Sequence, residues 1–439
     1  MKINRRDLLR SSWTLGGGAL LQTSRARAAA SDRIRVAVIG CGGRGRDHVR
    51  YISKVPNVEI AALCDPDQTR MEQRAAELAP LAARKPALYQ DLRKVLDDRG
   101  IDAITVAACN HWHALAAVWG CQAEKHVYAE KPLCHDFFSG AQMVAASRKY
   151  NRIVQGGTQR RSNGYIRRAM QALREGLIGE VYMARCVHYQ QRDSLGFKPD
   201  ENPPSTLNWD LWLGPGPKAP YNANLHPYNW HWFWDFGNGE LGNNGVHYID
   251  IARWGLNQQF PVRVFSAGGR YGYKDQGQTP NTQTSTFEFA NGTQMELEIR
   301  GRFTNGEDGL TSGLAFYGAN GYMVMDNFAG QFKVFLGGKK TPEPDLGKLD
   351  DVDKSENYNI SHFQNFFDAV RENNRSIQTA DVNETYLSTS LCLFGNISYR
   401  LGRSLKFDAG RRLFVDDNEA NAMLRGEYRA PFMIPNLSA

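Results

Sequence analysis

The chain has 439 residues, 42% hydrophobic and 23% charged, a length that predicts two or three domains of about 150 residues and a composition that excludes a wholly disordered or collagen-like chain. Residues 1–30 hold six basic residues and one acidic residue, so most of the net charge of +7 lies there and the nearly neutral remainder argues against nucleic-acid binding. No apolar run approaches the roughly 18 residues that a transmembrane helix needs.

The first 30 residues have the pattern of an export signal. Residues 4–10 read Asn-Arg-Arg-Asp-Leu-Leu-Arg, residues 13–21 are weakly apolar, and residues 26–28 form an Ala-Arg-Ala cleavage pattern. This order predicts a signal peptide over residues 1–30. The paired Arg5 and Arg6 resemble a twin-arginine signal, which implies the twin-arginine export machinery as a partner and a folded protein that is periplasmic or secreted. A frayed basic arm is the alternative.

The cysteine pattern does not suggest a disulfide framework. The chain has seven cysteines, an odd number, and no C-x-x-C pair. We therefore expect most of them to be buried small side chains.

A glycine-rich loop follows the first predicted strand. Residues 33–39 form a β-branched run suited to a buried strand, and a G-x-G-x-x-G pattern follows at once, before a helix predicted over residues 46–54. Such glycines permit a tight turn and a close approach of the backbone to a pyrophosphate, and the helix N-terminus offers free N–H groups to the phosphates. We therefore predict that the cofactor contacts Gly40, Gly42, Gly43, Arg44 and Gly45.

The second predicted strand ends in a carboxylate. Residues 58–64 are apolar and Asp65 follows them, 20 residues after Gly45. A carboxylate at this point can accept hydrogen bonds from both adenosine ribose hydroxyls and repels a 2′-phosphate, so it favours NAD over NADP. The alternative is that Asp65 only forms a turn before Pro66.

The alternation of helices and strands continues to about residue 155. We predict helices over 92–99, 112–123 and 137–149, and strands over 103–107, 126–129 and 153–155. Alternating strands and helices imply a parallel sheet, in which ligands bind beyond the carboxyl ends of the strands. Those ends hold further candidates for cofactor contacts: Asn110, His111, His113, Glu130 and Lys131. We also expect Asn110 to cap the helix that follows it.

The H-x-H pair of His111 and His113 invites a metal interpretation. Two histidines at this spacing can chelate zinc when a third ligand joins them. The alternative interpretation is a contact with the cofactor, and we expect no metal at this pair.

These motifs resemble a known family. The glycine-rich loop, Asp65, Asn-His-Trp-His-Ala at 110–114 and Tyr-Ala-Glu-Lys-Pro-Leu at 128–133 are similar to the glucose-fructose oxidoreductase, inositol dehydrogenase and MocA superfamily. The segment 237–250 resembles its second signature, a helix that carries a catalytic histidine. Residues 156–161 and 396–402 are also similar. In this family the segment that corresponds to 110–114 contacts the nicotinamide end of the cofactor and starts a helix, which is why we expect no metal at His111 and His113.

The resemblance implies a fold and an assembly. We expect an NAD-binding Rossmann domain over residues 31–156 and a substrate-binding α/β domain over 157–439 with a large open, mostly antiparallel sheet. The C-terminal helices are expected to pack back on the first domain, and the family implies a homo-oligomer, a dimer or a tetramer. The remaining pattern suits this fold, with strand-like runs at 181–189, 262–267, 282–289, 293–300, 313–317, 322–325 and 331–336 and helices at 362–372 and 382–401.

The resemblance also implies catalytic roles. His247 corresponds to the family's general base, and Lys131 is expected to bind the same substrate oxygen and to help move the proton. Family members similar to inositol dehydrogenase carry an Asp four residues before the histidine, where this chain has Asn243. An amide can hold a sugar hydroxyl but cannot accept a proton. Glu240 stands close by and could compensate for the missing carboxylate, although its helical phase is wrong.

A substrate pocket is expected from an aromatic stretch. Residues 205–236 contain nine aromatic side chains, and such rings stack on sugar faces, although core packing or a subunit interface is an equal alternative. The expected substrate contacts are Lys131, Arg160, Tyr228, Trp230, His231, Asn243 and His247, with His113 orienting the substrate or the nicotinamide.

Three functions compete at this stage. The first is an NAD-dependent oxidoreductase acting on a sugar, polyol or glycoside hydroxyl. The second is an NAD-dependent glycoside hydrolase that works by transient oxidation and elimination, but that branch carries Glu-Val-Pro where this chain has Glu130-Lys131-Pro132. The third, a non-catalytic binding protein, is disfavoured because both Lys131 and His247 are retained. Export implies a cofactor that is tightly held and recycled internally.

Overall fold

The computed structural model describes residues 33–437 apart from 83, 303–305, 307–310, 327–331 and 344–356. The predicted signal peptide lies outside the described residues. The expected fold class is confirmed: a Rossmann-type parallel sheet is followed by a domain built on a large, mostly antiparallel sheet.

The first domain is a six-stranded parallel sheet in the order β3-β2-β1-β4-β5-β6. Its strands are β1 (Ile34–Ile39), β2 (Val58–Cys64), β3 (Ala87–Tyr89), β4 (Ala103–Val106), β5 (His126–Ala129) and β6 (Val154–Gly156). Its helices are α1 (Gly43–Ile52), α2 (Gln68–Leu78), α3 (Leu92–Asp97), α4 (Asn110–Gln122) and α5 (Phe137–Lys149). The central strands are buried on both faces, which is why they read as continuous apolar runs. The strand order reverses between β1 and β4, and this reversal opens a crevice at their carboxyl ends.

The second domain carries a nine-stranded sheet in the order β15-β14-β13-β7-β12-β11-β10-β16-β17. Its strands are β7 (Val181–Tyr189), β10 (Arg263–Gly269), β11 (Thr282–Glu288), β12 (Gln294–Arg300), β13 (Ser312–Gly318), β14 (Gly321–Asp326), β15 (Lys333–Leu336), β16 (Leu405–Asp408) and β17 (Leu413–Phe414). Only β7 and β12 pair in parallel; the other neighbours are antiparallel. Two short strands, β8 (Asp200–Glu201) and β9 (Tyr221–Asn222), pair separately.

The helices of this part of the chain are α6 (Gly164–Arg174), α7 (Trp209–Leu213), α8 (Val246–Leu256), α9 (Tyr358–Glu372), α10 (Val382–Leu401) and α11 (Asn418–Ala422). Of these, α8 packs on β7, β12 and β13, and α10 packs on β10 and β11. Along β12, Met295, Leu297 and Ile299 are buried and alternate with more exposed polar residues, so one face of the strand packs against the core.

One C-terminal helix belongs to the core of the first domain. Phe363, Phe366 and Phe367 of α9 are buried in the cluster that contains Val36 and Tyr128. The rings of Phe363 and Tyr128 lie 4.5 Å apart. The first domain therefore depends on a segment more than 200 residues away for its hydrophobic core.

The cysteines behave as expected. All seven are described, none forms a disulfide, and six of them are buried. Within the part of the chain that the structure describes, no helix combines the length and apolar character needed to cross a bilayer.

Candidate active site

A cleft of about 260 Å³ lies between the two domains at the carboxyl ends of β1, β2, β4 and β5. Thirteen of the predicted site residues line it: Gly40, Gly42, Gly43, Arg44, Asp65, Asn110, His113, Glu130, Lys131, Tyr228, Trp230, His231 and Asn243. Gly45, His111, Arg160 and His247 are not among the lining residues. The fold thus gathers residues from both domains around one space.

The glycine-rich loop has the shape that a dinucleotide requires. Gly40 has φ +88°, and a Cβ there would lie 2.6 Å from the main-chain oxygen of Ala107, while a Cβ on Gly45 would collide with the main-chain oxygen of Gly40. A Cβ on Gly43 would meet nothing within 4 Å. The outer glycines therefore serve backbone packing, whereas the space beside Gly43, where α1 begins, is open to a phosphate group.

Asp65 stands at the end of β2 beside this loop. Its Oδ2 accepts a hydrogen bond from the main-chain N–H of Cys41 at 2.6 Å, and its Oδ1 accepts one from that of Asp67 at 2.9 Å. Burial raises the pKa of its carboxyl to about 6. Each oxygen keeps a lone pair for a ribose hydroxyl. Arg70 also lines this part of the cleft.

A segment of the second domain forms one wall of the cleft beside Asp65 and Arg70. Residues 204–213, here called the cover segment, lie against the loop after β2, where the main-chain N–H of Gln68 donates to Thr206 and that of Asn208 donates to Pro66. The side chain of Gln90 donates to the main-chain oxygens of both Thr206 and Pro66. Trp212 lines the cleft from this side. This contact could not be predicted from a local pattern, since it joins residues more than 100 positions apart.

His111 and His113 point in different directions. His111 has Nε2 3.1 Å from the main-chain oxygen of Trp212, burial lowers its pKa to about 3, and it lines a second cavity instead of the cleft. His113 has Nδ1 2.8 Å from the main-chain oxygen of Pro132 and Nε2 2.9 Å from that of Ala108. Among the described residues, no group of three or more His, Cys, Asp or Glu side chains is arranged to hold a metal.

The expectation that Asn110 caps α4 is wrong. The N-cap residue is Cys109, and Asn110 is the first residue of the helix. The Nδ2 of Asn110 donates instead to Oδ1 of Asn238 at 2.9 Å. The tertiary contact takes the side chain that would otherwise have bonded to the helix N-terminus.

Lys131 follows β5 and reaches across to the second domain. Its Nζ donates a hydrogen bond to the main-chain oxygen of Asn243 at 2.7 Å. Burial lowers the pKa of Lys131 to about 8, against the opposing effect of Glu130. This places the ammonium group close to the point at which it can give or regain a proton near neutral pH.

Glu130, the residue before Lys131, is held in place by side chains of the first domain. Its Oε1 accepts hydrogen bonds from Nε of Arg44 at 2.8 Å and lies 3.0 Å from Nε2 of His48. Burial alone would raise the pKa of its carboxyl, but Arg44, His48 and Lys131 hold it well below its ordinary value. Glu130 therefore ties the glycine-rich loop to the segment that carries Lys131.

His247 lies in the first turn of α8 and is buried. Its Nδ1 makes no hydrogen bond within the described part of the chain. Burial, together with the positive charges of Arg160 and Lys131, lowers its pKa well below the ordinary value, so the imidazole is neutral at neutral pH and able to accept a proton. The guanidinium of Arg160 stacks on the ring of Tyr248, 4.8 Å from its centre.

A π-helical turn, Leu241–Gly245, precedes α8. Asn243 lies in this turn and lines the cleft. Glu240 stands just before the turn, is buried, and pairs with Arg192 of the second domain at 2.9 Å. The sequence signalled neither the turn nor the role of Arg192, because both depend on the contact between this segment and the large sheet.

The aromatic residues of 205–236 serve both as core and as wall of the cleft. Trp209, Trp212, Tyr221, Trp230 and Phe236 belong to a small hydrophobic cluster. Half-exposed Tyr228 and the stacked rings of Trp230 and His231, 3.6 Å apart, also line the cleft. Part of the stretch is therefore core and part is pocket wall.

His231 presents one free ring nitrogen. Its Nδ1 lies 2.6 Å from the main-chain oxygen of Tyr228, a contact that requires the proton to be on Nδ1. Burial lowers its pKa to about 3, so the ring is neutral and Nε2 is left as an acceptor.

Comparisons with known proteins agree with this geometry. Residues 34–158 match the GFO_IDH_MocA model, described as "Oxidoreductase family, NAD-binding Rossmann fold". Residues 191–434 match the GFO_IDH_MocA_C2 model, described as "Oxidoreductase family, C-terminal alpha/beta domain".

Several curated proteins are similar in sequence. Inositol 2-dehydrogenase 1 of Saccharopolyspora erythraea is 34% identical over 63% of this chain and 69% of its own. Inositol 2-dehydrogenase/D-chiro-inositol 3-dehydrogenase of Shouchella clausii is 31% identical over 38% of this chain, a match that spans only 48% of that relative. A glycosyl hydrolase family 109 protein of Shewanella pealeana is 26% identical over 52% of this chain and 53% of its own.

A solved structure has the same fold. The aldose-aldose oxidoreductase from Caulobacter crescentus, complexed with glycerol, superimposes with a TM-score of 0.66 over 85% of this chain and 100% of that one, at 15% identity.

Proposed function

The chain belongs to the GFO_IDH_MocA oxidoreductase family, and on that premise we propose that it is an NAD-dependent oxidoreductase acting on a hydroxyl group of a sugar, polyol or glycoside. One observation carries the proposal: Lys131 donates a hydrogen bond to Asn243 in the turn before His247, and both residues line the cleft that the glycine-rich loop also lines. Inositol dehydrogenases among the relatives support the substrate class.

Bound NAD supplies the acceptor for a hydride from the carbon that carries the hydroxyl. His247, neutral at neutral pH, takes the hydroxyl proton as the carbonyl forms. Lys131 donates a hydrogen bond to the same oxygen and stabilises the negative charge that develops on it. Because its pKa is about 8, Lys131 is mostly charged at neutral pH and can also pass a proton on.

Asn243 serves binding in this proposal. Its amide has a donor and an acceptor for a sugar hydroxyl, and its main-chain oxygen holds Lys131. Aromatic surface for the sugar ring is supplied by Tyr228, Trp230 and His231. Arg160 lies near enough to His247 for its positive charge to lower the His247 pKa.

We further propose that the cofactor stays bound between turnovers. The cover segment forms one wall of the cleft beside Asp65 and is bonded to the first domain, in part through Gln90, which hinders escape of the adenosine end. The sequence of residues 1–30 supports export by the twin-arginine route to the periplasm, where free NAD is scarce. A second carbonyl substrate would then take the hydride back, so that the net reaction is redox-neutral.

A second candidate is an NAD-dependent glycoside hydrolase. The match to a glycosyl hydrolase family 109 protein favours it. In that reaction, transient oxidation at one ring carbon acidifies the neighbouring C–H bond and permits elimination. Lys131, where that branch has a valine, favours the oxidoreductase.

One experiment tests the proposal. Purified protein is denatured and the supernatant is analysed for NAD(H), and the native protein is then screened with inositols, aldoses and glycosides for a change in reduced-nicotinamide absorbance. We expect released cofactor and a response to at least one polyol or sugar. Free glycone from a glycoside without net reduction would favour the hydrolase, and absence of NAD binding, even after addition of NAD, would contradict both.

A further inference from the structure

Glu240 is a buried carboxylate that no part of the proposed reaction uses. Its two oxygens receive a paired contact from Arg192, through Nε at 3.0 Å and Nη2 at 2.9 Å. It also accepts a hydrogen bond from Nδ2 of Asn244, and Nε2 of His188 on β7 lies 3.4 Å away. Burial alone would raise its pKa, but His188 and Arg192 lower it to about 2, so the group is ionised at neutral pH.

These contacts clamp one side of the π-helical turn. Glu240 and Asn244 stand at its two ends, and their side chains are bonded to each other and, through Arg192, to the segment that follows β7. Isolated π-helical turns are uncommon and recur at functional sites, since they interrupt the regular hydrogen-bond ladder of a helix.

The other side of the same turn faces Lys131. The main-chain oxygen of Asn243, between the two clamped positions, accepts the hydrogen bond from Lys131. His247 follows two residues after the turn ends. A shift of the turn would therefore move both the acceptor of Lys131 and the start of the helix that carries His247.

We propose that Glu240 is a positioning residue that holds the π-helical turn, and through it Lys131 and His247, in the geometry for proton transfer. This inference rests on the proposed function for its catalytic meaning, but the link between Glu240 and Lys131 can be measured without any substrate. The negative charge of Glu240 also acts on Lys131 directly: it raises the Lys131 pKa, whereas burial lowers it.

Other charges around Lys131 must be held constant in a test. The groups that act on its pKa besides burial are Glu130, Arg44, Glu240 and Arg160. The neighbouring imidazoles of His113, His231 and His247 are neutral, since burial lowers the pKa of each of them. Replacing only Glu240 changes one of the four charges.

The first experiment reads the pKa of Lys131 in protein without substrate. The rate of acetylation of Lys131 by acetic anhydride is followed by mass spectrometry across pH in the parent, Glu240→Gln and Glu298→Gln. Glu298 is a matched control, because it is a half-buried carboxylate of β12 that pairs with Arg185 of β7 and Arg300 of β12 and is not among the residues that line the cleft. We expect the midpoint to fall by roughly half a pH unit or more in Glu240→Gln and to stay in place in Glu298→Gln. An unchanged midpoint in Glu240→Gln overturns the inference.

The second experiment separates positioning from general stability. Glu240→Gln is expected to lose about 10- to 100-fold in kcat, as misplacement of reacting groups by about 1 Å does, with NAD affinity within about twofold of the parent. Partial recovery is expected in Glu240→Asp. Equal losses in kcat and NAD affinity, together with a lowered melting temperature, would mean a purely structural role and would overturn the inference.

A second variant guards against misfolding. Arg192→Lys keeps the charge but loses the two-bond contact with Glu240, and we expect a several-fold loss of kcat at unchanged NAD affinity. Parental kcat in this variant overturns the inference. If the parent binds no NAD, the proposed function fails, while the acetylation midpoint still decides whether Glu240 acts on Lys131.

Discussion

The Nζ atom of Lys131 donates a hydrogen bond to the main-chain oxygen of Asn243, 2.7 Å away, and so joins the end of β5 in the first domain to the turn before α8 in the second. The lysine thus lies in the first domain but is held by a residue of the second. This bond sets the position of the Lys131 ammonium group relative to the turn before His247. The proposed proton transfer therefore depends on the contact between the two domains as well as on the two side chains.

Removal of either proposed proton-transfer group should be costly but not additive. We expect Lys131→Ala and His247→Ala each to lose about 10²–10⁴-fold in rate, because a positioned acid–base group contributes that much. The double variant should be far less than multiplicatively worse, since both side chains serve one proton transfer. Steady-state kinetics on the substrate found by screening measures all three.

Binding of NAD provides the control for these variants. Neither residue belongs to the glycine-rich loop that faces the pyrophosphate, so calorimetric titration should show that both variants still bind NAD. Near-parental turnover of His247→Ala would place the base elsewhere. His231, whose Nε2 is a free acceptor in the cleft wall, would then be tested next.

Selectivity between the two dinucleotides should depend on pH through Asp65. Its pKa is raised to about 6 by burial, so the carboxylate is charged above that pH and neutral below it. The charged form repels a 2′-phosphate, and we therefore expect the preference for NAD over NADP to be large at pH 8 and to shrink as the pH falls below 6. Titration of cofactor-free protein with both dinucleotides at pH 5 and pH 8 measures this.

Asp65→Ser is the matching variant for this prediction. It should narrow the gap at pH 8 and abolish the pH dependence of the preference. Equal affinities for NAD and NADP in the parent at pH 8 would contradict the role of Asp65, and Arg70 in the same part of the cleft would explain how a 2′-phosphate is tolerated.

Cofactor retention should depend on the bonds between the cover segment and the first domain. Gln90→Ala removes the hydrogen bond from its side chain to Thr206 of the cover segment, together with the bond to Pro66 of its own domain that holds this side chain. At about 1 kcal/mol for the one bond that joins the cover segment to the first domain, we expect NAD to dissociate roughly 5-fold faster. Stopped-flow fluorescence of bound NADH, displaced by excess NAD, measures the rate.

Gln68→Ala is the control for the cover segment. Within the described ranges, the side chain of Gln68 bonds only to Glu72 on its own helix, and its main-chain bond to Thr206 survives the substitution. Its dissociation rate should equal that of the parent. The same rate in Gln90→Ala would show that the cover segment does not retain the cofactor.

Export should require the paired arginines near the start of the chain. We expect protein recovered from the periplasm to begin near Ala29, give or take about two residues, as the Ala-Arg-Ala pattern predicts. Replacement of Arg5 and Arg6 by lysine should leave the protein in the cytoplasm, as cell fractionation and mass spectrometry would reveal. Continued export of that variant would indicate another route.

Much of the first domain could be predicted from the sequence. Apolar runs of four to seven residues, separated by helical segments, specify a buried parallel sheet because both faces of each strand must be covered. The places of Gly40 and Gly45 in the tight turn could be predicted because the backbone contacts that such a turn makes leave no room for a Cβ. The position of Asp65 and Lys131 in one cleft could be predicted because the carboxyl ends of parallel strands meet at one edge of the sheet.

The tertiary structure decided the rest. The orientation of His111, the bond from Asn110 to Asn238 and the contact of residues 204–213 with the first domain join positions about 100 or more apart, and no local pattern records such contacts. The same holds for Glu240, which the sequence suggested as a replacement for the missing carboxylate beside His247 although its phase on a regular helix is wrong. The π-helical turn and the approach of Arg192 from the segment after β7 give Glu240 its environment, because burial of a charge depends on which partners the fold brings to it.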